Sequence, residues 1–172
     1  MGKVLIVVDM QNDFVYGTLG TEEAVEIVPA VTEKVKTAVN NNDMVIFTKD
    51  THYSNYLDTE EGKNLPVEHC IKGSKGWEIV PGLNEYAHNI IEKNTFGSIM
   101  LPDKVREYDE IELVGLCTDI CVISNALLLK AHFPEKSICV DASCCAGVTP
   151  ESHNNALEAM KMCQIRINNY IQ

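Results

Sequence analysis

No apolar run in this chain is long enough to cross a membrane. The longest, such as VLIVV at Val4–Val8, are the size of a buried strand. No export signal is expected, because Met1-Gly2-Lys3 leads straight into such a strand, and the same opening lacks the Ser or Thr of a myristoylation site. Positive charge is scarce. Fourteen Lys and Arg against 25 Asp and Glu leave a net charge of −11, which argues against nucleic acid or an anionic membrane as partner. Cysteine is present but unpatterned. The seven, at positions 70, 117, 121, 139, 144, 145 and 163, are odd in number and follow no disulfide-framework or zinc-ribbon spacing. They are expected to be reduced thiols in a cytoplasmic protein. Internal repeats and low-complexity segments are also missing.

What is present is an alternation. The 172 residues, 45% of them apolar, fit one domain spanning 1–172. Strand-like runs rich in Val and Ile read as Lys3–Asp9, Met44–Lys49, Asn89–Glu92, Ile111–Gly115, Ser137–Asp141 and Gln164–Ile167. Helical patterns lie between them, at about Pro29–Val39, Pro102–Tyr108, Ile120–His132 and Pro150–Met162. The first has an apolar stripe of Val31, Val35 and Val39 behind an opening proline, and the last has a cap, proline and first-turn acid in Thr149-Pro150-Glu151. Strands alternating with helices predict an α/β three-layer sandwich, a six-stranded mostly parallel sheet with helices on both faces and a Rossmann-like topology. The connection from Asp50 to His88 is long for a small domain, which points to function or to local structure of its own.

Ligands of an open parallel sheet bind outside the carboxyl ends of the strands. Strand one ends in Asp9, strand two in Lys49-Asp50-Thr51-His52 and strand three in Glu92-Lys93, while strand four leads through GLCTDIC to Cys121. A cysteine opening a helix meets unpaired N–H groups and the positive end of the helix dipole, which predicts a lowered thiol pKa. A cysteine there can equally be plain core, and a charge at one strand end is commonplace. The joint occurrence carries more weight. A carboxylate base, a cation that favours thiolate and a thiol nucleophile are the parts for attack on a carbonyl.

VVDMQNDF, EKNTFGS and GLCTDIC, in this order and on these strand ends, resemble the isochorismatase-like cysteine hydrolases, which include the nicotinamidases. The resemblance covers essentially the whole chain and implies a catalytic triad of Asp9, Lys93 and Cys121. Asp9 would take the thiol proton and Cys121 would attack an amide carbonyl. The resulting oxyanion would be held by the backbone N–H groups of Cys117 and Cys121, next to a cis peptide at Leu116–Cys117. Cleavage of a vinyl ether, the isochorismatase reaction proper, needs no thiol and is disfavoured by Cys121.

KDTHYSNYLDTEEGKNLPVEHC carries a second set that resembles the nicotinamidase metal site: Asp50, His52, Glu61 and His69, with Glu60 and Asp58 competing for the place of Glu61. The resemblance implies a divalent metal, zinc first and iron or manganese as alternatives, since two imidazoles and two carboxylates suit all three. His88, His132 and His153 have no comparable setting. Phe14, Leu19 and Trp77 are candidate apolar walls for a flat ring. Two departures from the nicotinamidase pattern bear on substrate: Leu65-Pro66-Val67 stands where an aromatic is common before His69, and no tyrosine-containing insertion follows Lys93.

Three readings follow. The first is a metal-assisted nicotinamidase feeding nicotinate to NAD salvage. The second is a metal-independent amidase for an N-carbamoyl or ureido substrate. The third is a non-catalytic binding or redox protein whose output is oxidation of Cys121 beside Cys117. The partner expected is a small-molecule amide, with neither nucleic acid nor membrane, and homo-oligomers are common among such proteins.

Overall fold

The computed structural model describes residues 2–170. Six strands, β1 (Lys3–Val8), β2 (Met44–Asp50), β3 (Ile90–Lys93), β4 (Glu110–Leu116), β5 (Ser137–Ala146) and β6 (Arg166–Asn168), form one sheet in the order β3-β2-β1-β4-β5-β6. Every pairing between them is parallel. The chain winds outward from β1 to β3 on one side and from β4 to β6 on the other. The direction of winding therefore reverses between β1 and β4, and a crevice opens at their carboxyl ends.

The pleat of β1 divides the interior. Val4, Ile6 and Val8 face a core built with Leu101, Val122, Ala126, Leu129, Leu157 and Met160. These come from α5 (Leu101–Val105), α6 (Ile123–His132), α7 (Pro150–Met162) and the turn before α6. Leu5 and Val7 face the opposite core, with Val31, Val35 and Ala38 of α3 (Val28–Asn40) and with Ile79, Val80 and Leu83 of the long connection. Successive strand residues point to opposite faces, so a sheet covered on both sides needs continuous apolar runs. That is what β1 supplies.

Local chemistry sets the element ends. Thr149 accepts the Ser152 N–H at 3.0 Å, and the Ser152 hydroxyl answers the Thr149 N–H at 3.1 Å, which closes a capping box in front of α7. On α3 the buried stripe is Val31, Val35 and Ala38, whereas the expected Val39 is exposed, because positions i, i+4 and i+7 share a face and i+8 has rotated off it. Ile120 does not open α6. A π-helical turn at Thr118–Val122 comes first, and the α-helix begins at Ile123. β5 runs five residues past Asp141. Its pairing with β4 jumps from Leu113↔Val140 to Gly115↔Cys145, so the segment between bulges out of register, and its polar and small residues concealed the strand. Three short helices, α1 (Asn12–Val15), α2 (Glu22–Glu26) and α4 (Glu60–Asn64), are too brief for periodicity to reveal. Among the described residues, no helix is long and apolar enough to cross a membrane.

Gly115 marks where β1 and β4 come closest to the crevice. It sits opposite Val8 with φ +112°, and a Cβ there would lie 2.2 Å from the Val8 carbonyl oxygen. Gly115→Ala therefore meets both a left-handed backbone and a backbone clash. It is expected to lower stability by about 2–4 kcal/mol, read as a fall in denaturant midpoint at unchanged slope.

Candidate active site

Asp9 follows β1 directly, with φ +48°, which turns its carboxylate inward below the crevice. Its N–H is held by the Thr48 carbonyl at 3.2 Å, and its Oδ1 accepts the Thr48 hydroxyl at 2.6 Å. Its Oδ2 faces Lys93 Nζ at 2.6 Å. Lys93 closes β3, and its ammonium also lies 3.5 Å from Cys121 Sγ and 3.5 Å from Asp50 Oδ1. All four residues are buried. The structure thus gathers Asp9, Lys93 and Cys121 from three separate crossovers at one point. Cys117 and Cys121 flank the turn after β4, where the Cys117 carbonyl accepts the N–H groups of Ile120 and Val122, and the Leu116–Cys117 peptide is cis.

The charges of this cluster differ from the sequence expectation. Burial pushes the Cys121 thiol well above its ordinary pKa, and Asp9 adds to the shift against the opposing pull of Lys93. Cys121 lies inside the π turn, among carboxylates, and does not stand at a free helix terminus, so the dipole argument for a lowered pKa does not hold in the resting site. Burial likewise raises the Asp9 carboxyl, with Lys93 opposing. Lys93 is itself held above the usual lysine range: burial works against its charge, and Asp9, Cys121 and Asp50 restore it.

The second cluster begins at Asp50, the last residue of β2. Asp50 Oδ2 lies 2.9 Å from His52 Nε2 and 3.5 Å from His69 Nε2, and Glu61 Oε1 lies 3.6 Å from each imidazole. The ligand atoms of these four residues all fall within 4.8 Å of one another. Glu60 is instead turned outward to Lys63, and Asp58 is exposed. The placement has local causes. The cap of α4 is Thr59, which accepts the Gly62 N–H at 3.0 Å, and Gly62 rests so close to Tyr56 that a Cβ would lie 2.1 Å from its carbonyl oxygen. His69 is carried beside His52 by a parallel bridge between His52 and Ile71. Its Nδ1 donates to the Val67 carbonyl at 2.8 Å, which leaves Nε2 for the cluster. Phe14 and the buried Tyr56 pack on its ring, with centroids 5.5 and 5.0 Å away.

This donor set fits a divalent cation. Bonds of ~2.0–2.2 Å in a tetrahedron separate ligand atoms by about 3.3–3.6 Å, the spacing seen for three of the four contacts above. The carboxylates of Asp50 and Glu61 push the His69 pKa up to about 10 in spite of its burial. Burial works against the charge of Asp50, yet the two imidazoles and Lys93 hold its carboxyl well below the usual range.

A cavity of about 980 Å³ opens over both clusters. Cys117, Cys121, Asp50, His52, Glu61 and His69 line it, together with an apolar wall that includes Phe14, Leu19, Ile120 and Phe96. Trp77, expected on that wall, does not line it. Its indole N–H donates to the Thr51 hydroxyl at 2.9 Å, and Lys49 Nζ lies 2.9 Å from the ring centroid, which holds the ring behind β2. The sequence reading missed Tyr56 and Phe96 on the wall, and Thr48 and Gln11 beneath it. A polar residue inside or just beyond an apolar strand was the available signal for the last two.

The fold, the crevice and the residues in it have a known counterpart. The family model for the isochorismatase domain matches residues 3–168. The chain belongs to the isochorismatase family. An isochorismatase family protein, PncA, of Bacillus subtilis is 30% identical over 91% of this chain and 93% of its own length. The nicotinamidase/pyrazinamidase of Mycobacterium tuberculosis is 26% identical over 96% and 97%. The pyrazinamidase of Pyrococcus horikoshii, solved in complex with zinc, superposes with a TM-score of 0.88 at 28% identity, covering 99% of this chain and 100% of that one. With thiol, carboxylate and ammonium gathered at its strand ends, this member of the family is an amidohydrolase.

With burial opposing and Asp50 and Glu61 raising it to about 10, the His69 pKa contributes stability to the metal-free chain that is full below the unfolded value of ~6.5 and is lost as pH rises through the folded value. A cation must displace the His69 proton. Titrating zinc into the metal-free protein at pH 7.5 is therefore expected to release about one proton, seen as a binding heat that scales with the ionisation enthalpy of the buffer. His69→Ala should abolish both the binding and the release.

Proposed function

We propose that the chain is a metal-assisted nicotinamidase that converts nicotinamide and water to nicotinate and ammonia through a thioester on Cys121. One observation carries the choice of substrate. Phe14, Leu19, Tyr56, Phe96 and Ile120 give the cavity an apolar and aromatic wall, and no Arg or Lys is among the described residues that line it. A neutral carboxamide on a flat ring suits such a wall. An N-carbamoyl or ureido acid brings a carboxylate that would meet those of Asp50 and Glu61, with no Arg or Lys on the lining to receive it.

The protons move within the buried triad. Asp9, made more basic by burial, takes the proton of the Cys121 thiol as the sulfur attacks the carboxamide carbon. Lys93 remains an ammonium and balances the negative charge as it passes between carboxylate and sulfur. The N–H groups of Cys117 and Cys121 receive the oxyanion, an arrangement in which removing one donor typically costs ~10²–10³-fold. Asp9 returns the proton to the leaving amine, and ammonia departs as the thioester forms. Water then attacks the thioester, Asp9 takes its proton, and the thiolate is reprotonated as nicotinate leaves. Asp50, His52, Glu61 and His69 would hold the metal, with zinc the best fit. When bound it supplies an anchor for the ring nitrogen, so that the carboxamide faces Cys121. Phe14 and Leu19 flank the ring.

Ammonia release from nicotinamide tests the reading, with an N-carbamoyl amino acid as the comparison. Turnover is expected with nicotinamide alone. Cys121→Ala should lower kcat by at least about 10³-fold and Asp9→Asn by about 10²–10⁴-fold, while folding is retained. Because burial raises the Asp9 carboxyl, activity should fall on the acid side at a pH above the ordinary Asp value of ~3.9, as the base becomes protonated. Turnover of the carbamoyl acid in preference to nicotinamide would overturn the assignment.

A further inference from the structure

Gln11 is fully buried beneath the site and belongs to neither cluster. Its side-chain oxygen accepts the Asp50 N–H at 2.7 Å. Its amide nitrogen donates to the Asp50 carbonyl at 2.9 Å and to the Trp77 carbonyl at 2.9 Å. One side chain thus satisfies both backbone groups of the residue that joins the two clusters.

The reason lies in the sheet. β1 and β2 are in register from Val4↔Met44 to Val7↔Phe47, and at Asp9 the first strand turns away with positive φ. β2 continues to Asp50, so its last residue has no backbone neighbour on the β1 side. A primary carboxamide carries the same acceptor and donor as a peptide group. Gln11 supplies them where the backbone of β1 no longer can. On the other side, Asp50 stays paired in register with Lys93 of β3.

We propose that Gln11 is a positioning residue: its carboxamide stands in for the departed first strand and fixes the Asp50 backbone, so that Oδ2 faces the two imidazoles while Oδ1 faces Lys93. This rests on the metal site proposed above. Buried backbone groups left without partners are costly, so losing the clamp frees Asp50 to shift toward other partners. The carboxylate would then lose its aim at both clusters together. Glutamate cannot replace glutamine here, because two of the three contacts are carbonyl oxygens that need a donor.

The test uses Gln11→Met, which keeps volume and removes all three contacts, and Gln11→Glu, which keeps only the acceptor. Zinc affinity is measured by competition with a chromophoric chelator, and ligand geometry by the visible absorption of the cobalt-loaded protein. For both variants the expected result is a 10–100-fold loss of zinc affinity, roughly the effect of removing an outer-shell partner, together with an altered cobalt spectrum. A role confined to stability would lower the melting temperature and leave both readouts of the folded protein unchanged, and that result would overturn the proposal. Should Gln11→Met not fold, Gln11→Glu carries the same comparison. If the parent chain binds no zinc, the metal reading and this inference fall together. If the parent binds it and the folded variants bind it equally well, only this inference falls.

Discussion

One buried ammonium holds the site together. Lys93 Nζ is enclosed by Asp9, Asp50 and Cys121 at 2.6, 3.5 and 3.5 Å. Taking an ion out of water costs several kcal/mol, and removing one partner of a buried pair typically costs 3–5 kcal/mol. Two buried carboxylates can share this position only with a cation between them, and the buried cation is tolerable only because both are there. The geometry of the fold follows from that mutual need. β1, β2 and β3 must end at the same level, and the ends of three parallel neighbours in a sheet do so without further arrangement.

The same constraint explains why the thiol is held above its ordinary pKa. Lys93 already answers to two carboxylates, so burial and Asp9 together outweigh its help to a thiolate. A site of this kind stores its nucleophile in neutral form. It depends on Asp9 to move the proton when a carbonyl is in reach, and burial raises the Asp9 carboxyl towards that task. Asp50 then links the two clusters physically. One of its oxygens neutralises Lys93 and the other aims at the imidazoles, so the groups that would orient the substrate and the groups that would attack it share a single side chain.

Much of this was legible in the residues. Asp9, Lys93 and Cys121 could be placed because charged or nucleophilic side chains interrupt apolar runs where parallel strands end, and Asp50 and His52 for the same reason. Glu61 was chosen among three acids, and the cap at Thr59 is what turns it inward while Glu60 points to solvent. Other features depended on tertiary contacts. Trp77 was set on the cavity wall by its ring alone, and a lysine stacked on its face holds it elsewhere. The thiol pKa was argued from a helix dipole, a local property, whereas desolvation and neighbouring carboxylates decide it. Gln11 carries no local signal of its role, because its three hydrogen bonds go to backbone 39 and 66 positions away.

The central claim is that Cys121 forms a covalent bond to the acyl group. Rapid quenching during turnover of nicotinamide, followed by peptide mass spectrometry, tests it most directly. The account predicts one nicotinoyl group on the peptide containing Cys121, formed together with the first ammonia and absent from Cys121→Ala. Ammonia released in a burst with no acyl group on Cys121 at any time would contradict it and point to direct attack by water.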